Sequence, residues 1–125
     1  MHVIHLRRPW SIIADNNKQI DQVDVPEINP LLAEDSLEHC YCRKFNATPA
    51  VLNSKVVLRL SGYHGCLTDV RLNQQSISFD CQSSGFVTVA LTGYLRPHNE
   101  LKLTIVRYDD QCPRLTGDVV LEVSG

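Results

Sequence analysis

Glu38-His39-Cys40-Tyr41-Cys42 is the densest run of metal-ligating and nucleophilic side chains in the sequence. A structural zinc site asks for two pairs of Cys or His, each pair spaced by about two to four residues. On an extended strand Cys40 and Cys42 share one face, and His39 points to the other. Cys66, Cys81 and Cys112 stand apart and supply no second close pair. The run therefore reads as small buried thiols in preference to a metal centre, free cysteine being among the most buried residue types. A cysteine nucleophile would need a histidine beside it in space, and no local signature marks one. His2, His5, His64 and His98 likewise lack the close pair of a histidine-based metal site. Asp109-Asp110 with Glu122 is a weak candidate for structural calcium, a cation that takes carboxylate oxygens. The expectation is that no cofactor is held and that the chain is not an enzyme.

The side chains suited to binding are aromatic and planar polar ones in turns. Tyr63-His64 lies between two apolar runs, and Tyr94 lies in the turn before Arg96. Aromatic faces stack on the C–H faces of sugar rings, and Arg71, Arg96, His98 and Asn99 offer hydrogen bonds to hydroxyls. Each has a structural reading beside the functional one, and Asn99 reads better as a cap for the following strand. Trp10, the one tryptophan, reads first as a core or rim plug, because large aromatics dominate core packing. A sugar-stacking platform is its second reading.

The elements that must position these residues are strands. Apolar residues alternate over 2–7, 36–45, 55–61, 67–73, 77–79, 86–91, 100–107 and 117–123, with proline, glycine or asparagine between. Val56, Leu58 and Leu60 form one inward row; Leu101, Leu103 and Ile105 form another. About eight short strands with turns every 8–12 residues indicate an all-β chain, an antiparallel two-sheet sandwich or barrel. Residues 14–35 are rich in Asp and Asn, broken by Pro26 and Pro30, and read as a long irregular loop. Thr92-Gly93-Tyr94-Leu95 is read as a single helical turn, and Asn73-Gln74-Gln75 as a hairpin turn.

With 125 residues, the whole span 1–125 reads as one domain able to bury its own core. The net charge of −2 and the scattered basic residues exclude the concentrated positive face of a nucleic-acid binder. No run reaches the ~18 apolar residues of a membrane span. His5, Arg7 and Arg8 interrupt any signal-peptide core. Five cysteines without such a signal favour reduced thiols and a cytoplasmic location.

Several short motifs carry a family resemblance. Leu72-Asn73-Gln74 is followed by a short strand, then by Leu91 to Leu95 and Arg96-Pro97-His98-Asn99-Glu100-Leu101; Arg43-Lys44-Phe45 precedes Pro49; and Gly117 to Val123 closes the chain. Together they resemble the sugar-binding jelly-roll domain of family 2 glycoside hydrolases. The opening Ile4-His5-Leu6-Arg7-Arg8-Pro9-Trp10 resembles stand-alone bacterial versions. Gln74 stands where that family has glycine, which argues against the usual tight hairpin. The family's catalytic carboxylates belong to a separate barrel absent here. The resemblance implies a galactose-binding-like jelly-roll sandwich and a non-catalytic carbohydrate-binding module. The alternative is a structural or protein-interaction domain on the same scaffold.

Overall fold

The computed structural model of the chain describes residues 2–14, 19–26, 37–81, 86–109 and 113–124. Its elements in chain order are β1 (His2–His5), β2 (Trp10–Ala14), β3 (Gln19–Val23), β4 (Glu38–Asn46), α1 (Pro49–Leu52), β5 (Lys55–Leu60), β6 (Cys66–Leu72), β7 (Gln75–Ser76), β8 (Asp80–Cys81), β9 (Val87–Ala90), β10 (His98–Val106) and β11 (Val119–Ser124). They form a five-stranded sheet, β1-β11-β5-β9-β8, and a six-stranded sheet, β3-β2-β4-β10-β6-β7. The all-β, two-sheet antiparallel sandwich expected from the sequence is the architecture observed.

The core fills the space between the sheets from alternating rows. Leu101, Leu103 and Ile105 of β10 meet Leu58 and Leu60 of β5 and Leu121 of β11, all essentially without solvent contact. Burying each such side chain contributes roughly 1.5–3 kcal/mol. The β6–β10 register shifts between Thr104 and Ile105, where Asp69 and Leu67 are the successive partners. The extra residue, Thr68, makes a bulge. It allows Leu67 and Val70, three apart, both to reach the core.

Three sequence expectations are corrected, and one helix that the alternation did not announce is added. The span 14–35 is not wholly irregular, because Gln19–Val23 pairs with β2. A register shift between Trp10 and Ile12 and a left-handed Gln22 (φ 60°) break the two-residue period that would have announced this strand. Within that span, 15–18 and 27–35 lie outside the described residues. Thr92 to Leu95 make a non-helical turn with Gly93 at φ 88°. The one helix among the described residues is α1, where Thr48 Oγ1 accepts from the Val51 N–H at 3.4 Å and Pro49 opens the first turn. Thr48-Pro49 is a helix-start signal, but four residues are too few to show a period. Lastly, Leu72 pairs with Gln75, with Asn73 and Gln74 both left-handed (φ 53° and 69°). That is a tight two-residue hairpin of the kind glycine normally permits.

Two substitutions test these backbone readings in urea unfolding. Gln74→Gly removes the left-handed penalty of a residue bearing Cβ and is expected to stabilise the chain by about 0.5–1 kcal/mol. Gly117→Ala would place its Cβ 2.5 Å from the Gly62 nitrogen, and about 2 kcal/mol of destabilisation is expected.

Candidate functional site

β4 sends His39, Tyr41, Arg43 and Phe45 toward the opposite sheet. The first two are buried, and Tyr41 is completely enclosed. At Arg43 the apolar row is interrupted, and the layer between the sheets opens into a cleft of about 720 Å³. Ile4 and Leu121 wall it from the five-stranded sheet; Arg43 and Phe45 wall it from β4. Phe45 is half-buried against the core. Burial lowers the Arg43 pKa from its ordinary value. Its Nη1 donates to the Lys44 carbonyl, and its Nε is buried without a hydrogen-bond partner. A buried donor in that position costs free energy until something accepts from it.

The end of the cleft is a polar frame. Asn99, 4% exposed, accepts from the Arg96 N–H at 2.9 Å and from Asn73 Nδ2 at 3.0 Å. It donates through Nδ2 to the Arg96 carbonyl at 2.6 Å. Asn73 Oδ1 accepts from the Glu100 N–H at 2.9 Å. The β6–β7 hairpin is thereby tied to the loop entering β10. His98 Nδ1 donates to Asn46 Oδ1 at 2.8 Å; in the neutral ring that leaves Nε2 an acceptor.

The residues singled out from sequence do not converge. Tyr63 and His64 lie beyond the end of β5, where His64 bridges to Arg114 and its Nε2 meets Asp109 at 3.0 Å. Tyr94 and Arg96 lie at the other end of the sandwich, since β9 runs antiparallel to β5 and the 92–97 turn follows it. Arg96 is tied to the cleft frame through Asn99, and Tyr94 is exposed. Arg71 is on the outer face of β6, its Nε 2.6 Å from Asp69. Trp10 is fully buried, with Nε1 donating to the Leu6 carbonyl at 2.8 Å. It is a core plug, and the stacking-platform reading is overturned. For the calcium candidate, Asp109 is engaged by His64 and Glu122 by Arg59 at 3.2 Å, while Asp110 lies outside the described residues. Reading residues one at a time missed the cleft. The Arg43-Lys44-Phe45 motif was its visible trace, because a cation followed by an aromatic in an inward row marks the place where a core stops.

On the opposite face of β4, Cys40 Sγ and Cys42 Sγ lie 3.9 Å apart, both half-buried. Their hydrogen bond, the largest effect on each, brings the Cys40 pKa down to about 7 and pushes that of Cys42 up. The two sulfurs share a proton, and the pair titrates as a unit. His39 faces the core instead, its ring 6.2 Å from that of Tyr41.

No protein-family model matches the sequence, and no curated protein matches it. Solved structures of family 2 glycoside hydrolases share its fold. The chain superposes on a β-D-mannosidase from Dictyoglomus thermophilum with a TM-score of 0.71 at 16% identity, over 98% of this chain and 23% of that one. An uncultured Clostridium β-glucuronidase gives a TM-score of 0.74 at 14% identity, over 98% and 29%. A Bacteroides uniformis β-glucuronidase gives 0.71 at 15% identity, over 96% and 17%. The chain thus spans less than a third of each of these enzymes, and at such identities the likeness is one of fold. Among the described residues no helix is long and apolar enough to cross a membrane.

The shared thiol proton has a measurable consequence. Alkylation of Cys40 by iodoacetamide, followed by mass spectrometry, is expected to show a midpoint near pH 7. Cys42→Ser is expected to move that midpoint toward the ordinary thiol value of about 8.5.

Proposed function

We propose that the chain is a non-catalytic carbohydrate-binding module whose ligand occupies the cleft between the sheets. The observation that carries this reading is the meeting, in one cleft, of half-buried Phe45 with the planar polar groups of Arg43, Asn46 and His98. An aromatic ring suits the C–H face of a sugar, and guanidinium, amide and imidazole suit its hydroxyls. The cleft's ~720 Å³ is of the size that small-molecule sites have. The fold shared with parts of a β-mannosidase and of β-glucuronidases supports a sugar-related role by analogy. Glycoside hydrolysis ordinarily uses a pair of carboxylates. Among the described residues Glu100 is the single carboxylate lining the cleft, and it is paired with Lys102 at 3.6 Å.

A protein-interaction role is the second reading. Leu37 and Tyr108 are 58% and 62% exposed, and the Tyr108 ring leans on His64 at 5.3 Å. This places apolar surface at the sandwich end that carries Tyr63.

Isothermal titration against neutral and acidic mono- and oligosaccharides separates the two. Binding is expected, with Phe45→Ala weakening it about tenfold, one aromatic contact contributing roughly 0.5–1.5 kcal/mol beyond its buried area. Tyr63→Ala is expected to leave it unchanged. Absence of heat across the panel overturns the sugar reading, and a protein partner lost on Tyr108→Ala would then establish the second.

A further inference from the structure

We infer that Cys40 and Cys42 form a two-thiolate clamp for a soft monovalent cation of the Cu(I) class on the outer face of the six-stranded sheet. Their 3.9 Å separation is nearly twice the ~2.05 Å of a disulfide. Two-coordinate thiolate–Cu(I) is near-linear, so the sulfurs need only open somewhat beyond 3.9 Å, a change that rotation about the cysteine χ1 bonds supplies. The backbone holds that spacing. β4 is paired on both sides, Cys40 facing Ile13 and Thr104, Cys42 facing Ser11 and Lys102. Two strand steps of about 3.3 Å put the Cα atoms near the upper limit that a disulfide can bridge, roughly 6.8 Å. A strand locked by two neighbours cannot pucker easily to close that gap. The sulfurs point the same way and stay apart, which is the geometry of a chelate.

Ligand number chooses the cation. No group of three or more His, Cys, Asp or Glu able to hold a metal occurs among the described residues. Zinc in a structural site takes four ligands. Cu(I) is selected by soft thiolates and is satisfied by two. Charge agrees with this choice. Two thiolates and one monovalent cation leave a single negative charge, and the Lys102 ammonium stands across the ladder from Cys42. Glu38, Asp69, Glu100 and Asp21 are the acids around the two depressions; Glu100 is paired with Lys102 and Asp69 with Arg71, and Asp21 accepts from Ser11 and Gln19. Access is open from both sides. Cys42 lines a depression of about 480 Å³, Cys40 lines another of about 410 Å³, and Lys102 borders both. Binding replaces two S–H protons, which leave to solvent, and copper remains in its +1 state throughout.

The test is anaerobic titration of the fully reduced chain with Cu(I) held by bicinchoninate. The expected result is withdrawal of about one Cu(I) per chain with a sulfur-to-copper charge-transfer band in the ultraviolet. Cys40→Ser and Cys42→Ser should each abolish this, and Cys66→Ser, at an exposed thiol, should retain it. Lys102→Ala should weaken it about tenfold, as loss of a supporting partner does. Urea midpoints near wild type certify that the variants fold. Failure to withdraw copper overturns the inference, as does equal withdrawal by the Cys40→Ser/Cys42→Ser double variant. So does loss of two thiols as an intramolecular disulfide under mild oxidation with no copper taken up, which would mark a redox pair instead.

Discussion

β10 hydrogen-bonds to β4 along its whole length on one side and to β6 along most of it on the other. That double ladder fixes the direction of every side chain on three strands, because a slip of one residue would exchange their two faces. The register in force sends Leu101, Leu103 and Ile105 into the core and Glu100, Lys102 and Thr104 to the outside. Through the pairing with β4 it also sets Tyr41 opposite Leu103 and Arg43 opposite Leu101. Burial of the inward row is what makes the register costly to change. The cleft and the thiol pair are both consequences of it, one on each face.

Strands with a clean two-residue alternation were legible in the sequence. In β5, β9, β10 and β11 the apolar row names the core with few errors, and the sandwich follows from the number and spacing of such rows. Legibility failed wherever the backbone leaves the pleat. β3 carries a left-handed Gln22 and a shifted register, so its apolar residues, Ile20 and Val23, fall three apart and look aperiodic. The Asn73-Gln74 hairpin was misjudged because glycine preference is statistical. Here the turn is held by Asn73, whose backbone and side chain both bond Glu100, and that anchoring offsets the strain at Gln74.

The site was less legible than the fold for a different reason. Turn aromatics such as Tyr63 and Tyr94 are easy to see in a sequence, but antiparallel topology sends successive turns to opposite ends of a sandwich. Two loops some thirty residues apart converge only if the number of strands between them brings the chain back to the same end. Between Tyr63 and Tyr94 it does not. The cleft instead assembles from β1, β4, β11 and the entry to β10, segments far apart in sequence whose proximity depends on sheet order. No periodicity reports that order. His98 and Asn99 were visible as polar residues before a strand, yet their placement beside Arg43 is a product of pairing.

The two candidate sites share β4, and the strand's alternation keeps them independent. Arg43 and Phe45 face inward; Cys40, Cys42 and Lys44 face outward. A charge change on the outer face reaches the cleft only through the sheet or around the Glu100–Lys102 pair, which borders both regions. Exposed pairs of this kind contribute about 0.2–1 kcal/mol, so the link between the sites is correspondingly weak. Rigid ladders on both edges of β4 leave no alternative register in which either site could be remodelled. Allosteric coupling requires a second arrangement of the intervening element, and β4 has none that preserves its buried row. The scaffold therefore allows a sugar in the cleft and a cation on the outer face to bind without sensing one another, each site being set by the same register from opposite sides.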